Sequence, residues 1–112
     1  MIFRATGLMF VLLTGTAAAE MTVVSQTWVC ERGVTVPMTL VSDAKGAIVV
    51  MNIDGRQITL HAEPDADGTR FSWPSGGSGY VWAEALGIAS VLWRDGTDGN
   101  EATLLVGCRP EE

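Results

Sequence analysis

The sequence predicts a small all-β domain of about eight strands, either a barrel or a sandwich, and three observations support this fold class. Short runs rich in Val, Ile, Thr and Trp alternate with turn residues along the chain. No convincing amphipathic helix, with apolar residues three and four apart, is present. The connections are too short for crossovers between parallel strands, so neighbouring strands are expected to be antiparallel.

The first 19 residues have the pattern of a cleavable secretory signal. Arg4 supplies a positive charge, residues 7–13 (GLMFVLL) form an apolar run too short to span a bilayer, and residues 17–19 are three alanines. A buried N-terminal helix or an uncleaved anchor is the alternative. We expect cleavage after Ala19 and a single domain over residues 20–112. No cysteine follows the apolar run to accept a lipid, so this domain is expected to be soluble rather than membrane-anchored.

Turn residues divide the remaining chain into its strands. The predicted strands are residues 27–30, 34–40, 47–53, 57–62, 69–73, 79–82, 88–93 and 103–108. Asp54-Gly55 is the clearest hairpin signal, because glycine accommodates the positive φ of a type I′ turn. Two polar segments, 63–68 and 74–79, flank the fifth strand and are expected to be loops, where a binding site would lie.

Cysteine usage and charge narrow the possible partners. Cys30 and Cys108 are expected to form one disulfide in a secreted protein. His61 is the only histidine, and one imidazole with two thiols does not complete a zinc site, so no metal or cofactor is expected. Once Arg4 is removed, 6 basic and 13 acidic side chains remain. This acidic balance disfavours nucleic acid and favours a cationic partner, although solubility alone would also explain it.

Residue types used in catalysis are too few and too scattered to predict an enzyme. His61 occupies a polar position of an alternating strand. Ser75 and Ser78 lie among glycines, without a nucleophile elbow or a second histidine to activate them. Asp65 and Asp67 lack the further oxygen ligands of a calcium loop. A small hydrolase that uses His61 and these serines is therefore the weakest of the functional hypotheses.

Five short motifs follow one another between Trp28 and Cys108. They are WVCERG (28–33), GRQITL (55–60), DGTRF (67–71), GYVW with ASVLW (79–82 and 89–93) and TLLVGC (103–108). In this order they resemble the motifs of the membrane-bound inhibitors of C-type lysozyme, the MliC and PliC proteins. The corresponding family patterns are Y-x-C-x-x-G, G-x-x-x-x-L, S-G-x-x-Y, W-x-x-K-G-x-x-A-x-L and a closing strand with a cysteine.

The resemblance implies an eight-stranded antiparallel barrel, located in the periplasm of a Gram-negative bacterium or secreted, that inhibits lysozyme. In the family, a serine from one loop and a lysine from a second loop enter the lysozyme cleft and engage its catalytic carboxylates. Here Asp67 stands at the serine position and Ala85 at the lysine position, and Leu86 replaces the glycine that follows. The only lysine, Lys45, lies in a distant turn, and Arg70 is the cation beside the first loop.

The candidate partner-binding residues are those of the two motif loops and their flanks. They are Asp67, Gly68, Thr69, Arg70, Phe71, Ser75, Ser78, Tyr80, Trp82, Glu84 and Ala85. A different register would give Ser75 or Ser78 the role of the family serine.

Two hypotheses lead. The first is a non-enzymatic protein that binds the active-site cleft of C-type lysozyme, or another cationic protein, through two loops. The second is a diverged barrel that binds another periplasmic protein or a cell-wall glycan. The second is motivated by Asp67 and Ala85 and by the tryptophans 28, 73, 82 and 93, which all lie in predicted strands. Most of these tryptophans are expected in the core, with one or two left to stack on a sugar or a partner.

Overall fold

The structure, a computed structural model, describes residues 20–64 and 69–112. The signal segment expected at residues 1–19 and the candidates Asp67 and Gly68 lie outside the described residues. Eight strands are present: β1 (Thr22–Val29), β2 (Thr35–Asp43), β3 (Gly46–Ile53), β4 (Arg56–Ala62), β5 (Arg70–Ser72), β6 (Gly79–Ala85), β7 (Ile88–Arg94) and β8 (Glu101–Pro110). They close into one antiparallel barrel, which confirms the predicted fold class and strand number.

Each strand pairs with its neighbours in sequence, and β1 pairs with β8 to close the barrel. This closing seam is short, because the register joins only Trp28 to Pro110 and Val29 to Arg109 within the described chain. The Glu111 amide extends it by donating to the Thr27 carbonyl at 2.8 Å. The earlier part of β1, residues 22–26, pairs with β2 alone. The barrel wall is therefore open beside the start of β1.

Strand β1 begins five residues earlier than the sequence predicts. Residues 22–26 are mostly exposed and show no apolar alternation, which is why pattern alone does not mark them as a strand. Their backbone pairs in continuous register with β2, from Thr22 opposite Ser42 onwards. Backbone pairing with a long neighbour, and not burial, extends this strand.

Two connections are two-residue turns with both central residues at positive φ. Asp54 and Gly55 (φ 55° and 81°) join β3 to β4, which confirms the predicted hairpin. Leu86 and Gly87 (φ 56° and 80°) join β6 to β7 in the same way. Both pairs match the type I′ turn, whose twist follows that of the flanking strands.

The hydrophobic core is formed by side chains that point into the barrel. The Trp28 and Trp82 rings pack edge to face with centroids 5.0 Å apart, a favourable aromatic geometry. The predicted disulfide is present and joins Cys30 to Cys108, both buried, across 78 residues of sequence. The covalent bond thus lies beside the short seam between β1 and β8. Within residues 20–64 and 69–112, no helix is long and apolar enough to cross a membrane.

Candidate partner-binding end of the barrel

The two motif loops are the β4–β5 loop, expected to carry the family's serine position, and the β6–β7 turn, which follows the expected lysine position; both connections begin at the same end of the barrel. Successive connections between antiparallel strands alternate between the two ends. The β2–β3 turn, the described residues 63, 64 and 69 of the β4–β5 loop, and the β6–β7 turn therefore share one end, which we call the motif end. The β5–β6 loop (73–78) and the β7–β8 loop (95–100) lie at the opposite end.

The β6–β7 turn presents an apolar side chain at the motif end. Ala85, which the sequence resemblance aligns with the family's lysine, is the exposed last residue of β6 and pairs with Ile88. The next residue, Leu86, is fully exposed, with a relative accessibility of 101%. Gly87, and not the residue at 86, is the glycine of this turn. The side chain that projects furthest here is therefore a leucine.

Three of the candidate residues are buried or half-buried and are not available as exposed side chains for a partner. Phe71 and Trp82, which are 5% and 1% exposed, oppose each other across β5 and β6 and belong to the core. Tyr80 is half-buried and packs edge to face against Trp93, with centroids 5.2 Å apart. These rings shape the barrel and leave little surface for a partner.

A backbone hydrogen bond links the two motif loops. The amide of Glu84, near the end of β6, donates to the carbonyl of Thr69 at 2.9 Å. Thr69 is the last residue of the β4–β5 loop, and Glu84 immediately precedes Ala85. The bond fixes the base of one motif loop against the strand that leads into the other.

The two loop serines lie at the opposite end, away from Ala85. Ser75 is exposed, and the Ser78 hydroxyl accepts a hydrogen bond from the Gly96 amide at 2.8 Å. This bond ties the β5–β6 loop to the β7–β8 loop. Among the described residues, no hydrogen bond joins His61 to Ser75 or Ser78, so the structure does not assemble the pair that a hydrolase would need.

Arg70 belongs to a closed ring of four charged side chains, Glu63, Arg70, Glu101 and Arg94, which we call the Arg–Glu quartet. Arg70 donates through Nε to Glu63 at 3.3 Å and through a terminal nitrogen to Glu101 at 2.6 Å. Arg94 donates to Glu63 at 2.8 Å and twice to Glu101, at 2.9 and 2.6 Å. The cation expected beside the first loop is therefore occupied by two carboxylates of its own chain.

The quartet shifts the pKa values of its members. Burial alone would raise the pKa of Glu63, but hydrogen bonds from Arg94 and Ser72 and the charges of both arginines outweigh burial and lower it. The pKa of Glu101 is lowered against burial in the same way, by hydrogen bonds from Arg94 and Arg70 and by their charges. Hydrogen bonds to Glu101 and Glu63 raise the pKa of Arg94. These pKa shifts favour the charged forms of Glu63, Glu101 and Arg94.

The only lysine lies at the motif end, although the sequence places it far from both motif loops. Lys45 is exposed in the β2–β3 turn, which the Asp43 carboxylate orders by accepting the Lys45 and Gly46 amides at 2.8 and 3.2 Å. Lys45 and Pro64 line the same surface groove, of about 690 Å³. The separation in sequence does not indicate this proximity, but the strand order does. Two antiparallel strands, β3 and β4, separate the β2–β3 turn from the β4–β5 loop, so both connections start at the same end of the barrel.

Comparison with known proteins agrees with the fold and with the order of the motifs. No curated protein matches the chain. Residues 28–109 match the family described as membrane-bound lysozyme-inhibitor of c-type lysozyme. This match spans β1 to β8 and includes both cysteines and both motif loops. The chain therefore belongs to the family of membrane-bound inhibitors of c-type lysozyme.

Proposed function

We propose that this protein acts outside the cytoplasm, in the periplasm or secreted, as a non-enzymatic inhibitor of C-type lysozyme that inserts its motif end into the active-site cleft. The observation that carries the proposal is that both motif loops occupy one barrel end and are joined by the Glu84–Thr69 hydrogen bond. A two-loop inhibitor requires this arrangement, because both loops must reach one cleft together. The net negative charge of the chain would also attract a cationic enzyme.

The family's lysine has no counterpart in the second loop, so the charge at the motif end must come from elsewhere. Lysozymes of this type act through a pair of carboxylic acid side chains, which an ammonium group can engage. Ala85 carries no charge, and Arg70 is held by Glu63 and Glu101. In this proposal the exposed Lys45 supplies the ammonium group. Asp67 would be repelled by the catalytic pair, and it would stay outside the cleft or carry a proton.

Leu86 supplies the apolar contact in this proposal. A non-glycine residue in the left-handed region costs about 1–2 kcal/mol, and a glycine at this position would avoid that cost. The leucine is nevertheless fully exposed and contributes no burial to the fold. Backbone strain without a structural benefit is common at functional sites. An exposed leucine at the tip of a rigid two-residue turn is suited to fill an apolar recess of a partner.

The first test is a turbidity assay of C-type lysozyme on bacterial cell walls, titrated with residues 20–112. We expect inhibition by the wild-type domain and a loss of about tenfold in potency for both Leu86→Gly and Lys45→Ala. Arg56→Ala is the matched control, because Arg56 is an exposed cation beside the β3–β4 turn at the opposite end. It should inhibit like the wild type.

Two outcomes would contradict this proposal. An absence of inhibition at micromolar excess of a folded domain would remove lysozyme as the target. If all three variants inhibited equally well (Leu86→Gly, Lys45→Ala and Arg56→Ala), the protein would still be a lysozyme inhibitor. The motif end would then be excluded as the contact surface. A melting curve for each variant separates both results from misfolding.

One observation favours the alternative of a cell-wall glycan ligand. Trp73 is 45% exposed and lines a groove of about 490 Å³ together with His61 and Arg94. An exposed indole beside polar side chains is a common platform for a sugar ring. Peptidoglycan fragments should then shift the tryptophan fluorescence of the wild type but not that of Trp73→Ala. Fluorescence that stays unchanged in the wild type would dismiss this alternative.

A further inference from the structure

A cavity of about 380 Å³ enters the barrel at the motif end. Its inner wall is made of core side chains, including Trp28, Phe71 and Trp82. Glu84 and Gly87, which are less buried, lie at its rim beside the β6–β7 turn. The cavity exists because residues 22–26 of β1 pair with β2 alone, which leaves the wall open at this point.

A buried donor without an acceptor belongs to a residue of this cavity. Trp28 is 6% exposed, and its indole Nε1 has no hydrogen-bond partner within residues 20–64 and 69–112. A buried N–H that is left unpaired costs about 1–3 kcal/mol, so such groups are rare in folded proteins. The ring also packs edge to face against Trp82. An unpaired buried donor is thus carried by a residue that lines the cavity.

The charge at the rim restricts what can enter. Among residues 20–64 and 69–112, Glu84 is the only acidic side chain that lines the cavity, and no arginine, lysine or histidine of these residues lines it. A carboxylate or phosphate would be desolvated beside this glutamate without a cation to pair with. A neutral molecule carries no such penalty.

We infer that this cavity binds a small, uncharged, largely apolar molecule that carries one carbonyl-type hydrogen-bond acceptor for the Trp28 indole. Apolar cavities of about 150 Å³ hold benzene, so this one is large enough for a molecule of about 15 non-hydrogen atoms. The apolar part packs against Phe71 and Trp82, and the acceptor binds the indole N–H. Leu86 and Lys45, the two residues proposed to contact lysozyme, do not line this cavity.

The test compares three molecules of similar length: 2-undecanone, dodecane and undecanoate. Each is titrated into ¹⁵N-labelled residues 20–112, and the indole N–H signal of Trp28 is followed by NMR. We expect 2-undecanone to bind about tenfold more tightly than dodecane, since only the ketone forms the hydrogen bond. Only the ketone should move the Trp28 N–H signal downfield, and undecanoate should bind most weakly.

Two variants and a control isolate the contributions. Trp28→Phe retains an aromatic ring and removes the donor, so the ketone should bind it no better than dodecane. Glu84→Gln should raise the affinity for undecanoate about tenfold relative to the wild type. Trp93→Phe removes an indole of the half-exposed Tyr80–Trp93 pair and should bind all three molecules like the wild type.

The inference fails if the wild type binds none of the three up to their solubility limits. It also fails if ketone and alkane bind equally, which would mean that water satisfies the indole N–H. A Trp28 signal that moves with protein concentration, without any added molecule, would assign the cavity to a second copy of the chain and would overturn the inference as well. The wild-type signal alone decides these cases, even if a variant does not fold.

Discussion

Removing one carboxylate of the Arg–Glu quartet should destabilise the barrel measurably. Glu101 accepts three N–H bonds of 2.6 to 2.9 Å, one from Arg70 and two from Arg94, whereas Glu63 accepts one from each arginine. The substitution Glu101→Gln keeps the size of the side chain and removes its charge. Both arginines then share the single carboxylate of Glu63. The quartet joins the β4–β5 loop, β5, β7 and β8, so its loss weakens the wall on the side where β5 is only three residues long.

The magnitude follows from the exposure of the four side chains, which lies between 23% and 31%. Fully exposed ion pairs contribute about 0.2–1 kcal/mol, and hydrogen bonds to buried charges contribute about 1.5–3 kcal/mol. A network that is partly shielded from solvent lies between these limits, so Glu101→Gln should cost about 1–2 kcal/mol. For a domain of this size, that corresponds to a fall in Tm of roughly 4–15 °C. Thermal unfolding followed by circular dichroism at pH 7 would measure it.

The pH dependence gives the same prediction an internal check. The pKa values of Glu63 and Glu101 are lowered in the folded state, so the stability from these groups is fully present above the ordinary glutamate pKa of about 4.3. It is lost as pH falls through the lowered folded values. The difference in Tm between wild type and Glu101→Gln should therefore be constant from pH 7 to about pH 5 and should shrink below about pH 4.

Glu111 provides a control for the loss of one carboxylate outside the quartet. Glu111→Gln removes a carboxylate whose side chain forms no ion pair within the described residues, so its Tm should stay close to that of the wild type. If Glu101→Gln and Glu111→Gln melted at the same temperature, the quartet would contribute nothing to stability. Equal differences at pH 7 and pH 3 would show that Glu101 acts through packing and not through its charge.

Two further predictions concern the disulfide and the β3–β4 turn. Replacing Cys30 and Cys108 together by alanine should lower the free energy of unfolding by up to about 4.5 kcal/mol, because the bridge closes a loop of 78 residues in sequence. Urea unfolding with and without a reductant would measure the contribution of the disulfide. An unchanged unfolding midpoint in the reductant would contradict it. Gly55→Val should cost about 1–2 kcal/mol or more, because Gly55 has a φ of 81° with no atom near an added Cβ, so only backbone strain acts there. Gly77→Val is the matched control, at an equally open position without positive φ; equal losses of Tm for the two variants would show that strain at Gly55 is not the cause.

Most of the fold could be predicted from the sequence because its signals are local. Asp54-Gly55 marks a turn through the φ values that the turn requires, and the apolar alternation of Ile58 and Leu60 marks a half-buried strand. The two cysteines had a single possible partner each, which made their pairing predictable from the compartment alone. Each of these inferences uses residues that are neighbours in sequence or the number of cysteines. None of them requires knowledge of the barrel's shape.

The arrangement of the motif end could not be predicted in this way, because it depends on contacts between residues far apart in sequence. Arg70 looks like a free cation in the sequence, but Glu101, 31 residues later, holds it in the quartet. Lys45 is remote in sequence from both motif loops, but the strand order places its turn at their end of the barrel. Phe71 and Trp82 both lie in predicted strands, and the sequence does not show which face of each strand is buried. The closed barrel shows that both side chains face inwards.

The residues that match the family pattern and those that depart from it have different physical roles. Cys30, Trp82 and Cys108 match the pattern and are buried, so selection for the barrel alone would retain them. Ala85, which the sequence resemblance aligns with the family's lysine, is exposed, where a substitution affects a partner more than the fold. Leu86, which the same resemblance aligns with a glycine, has a positive φ of 56°, at a cost of about 1–2 kcal/mol relative to glycine. Since domains of this kind have net stabilities of only about 5–15 kcal/mol, a cost of that size at an exposed position favours a direct role for the leucine side chain in binding.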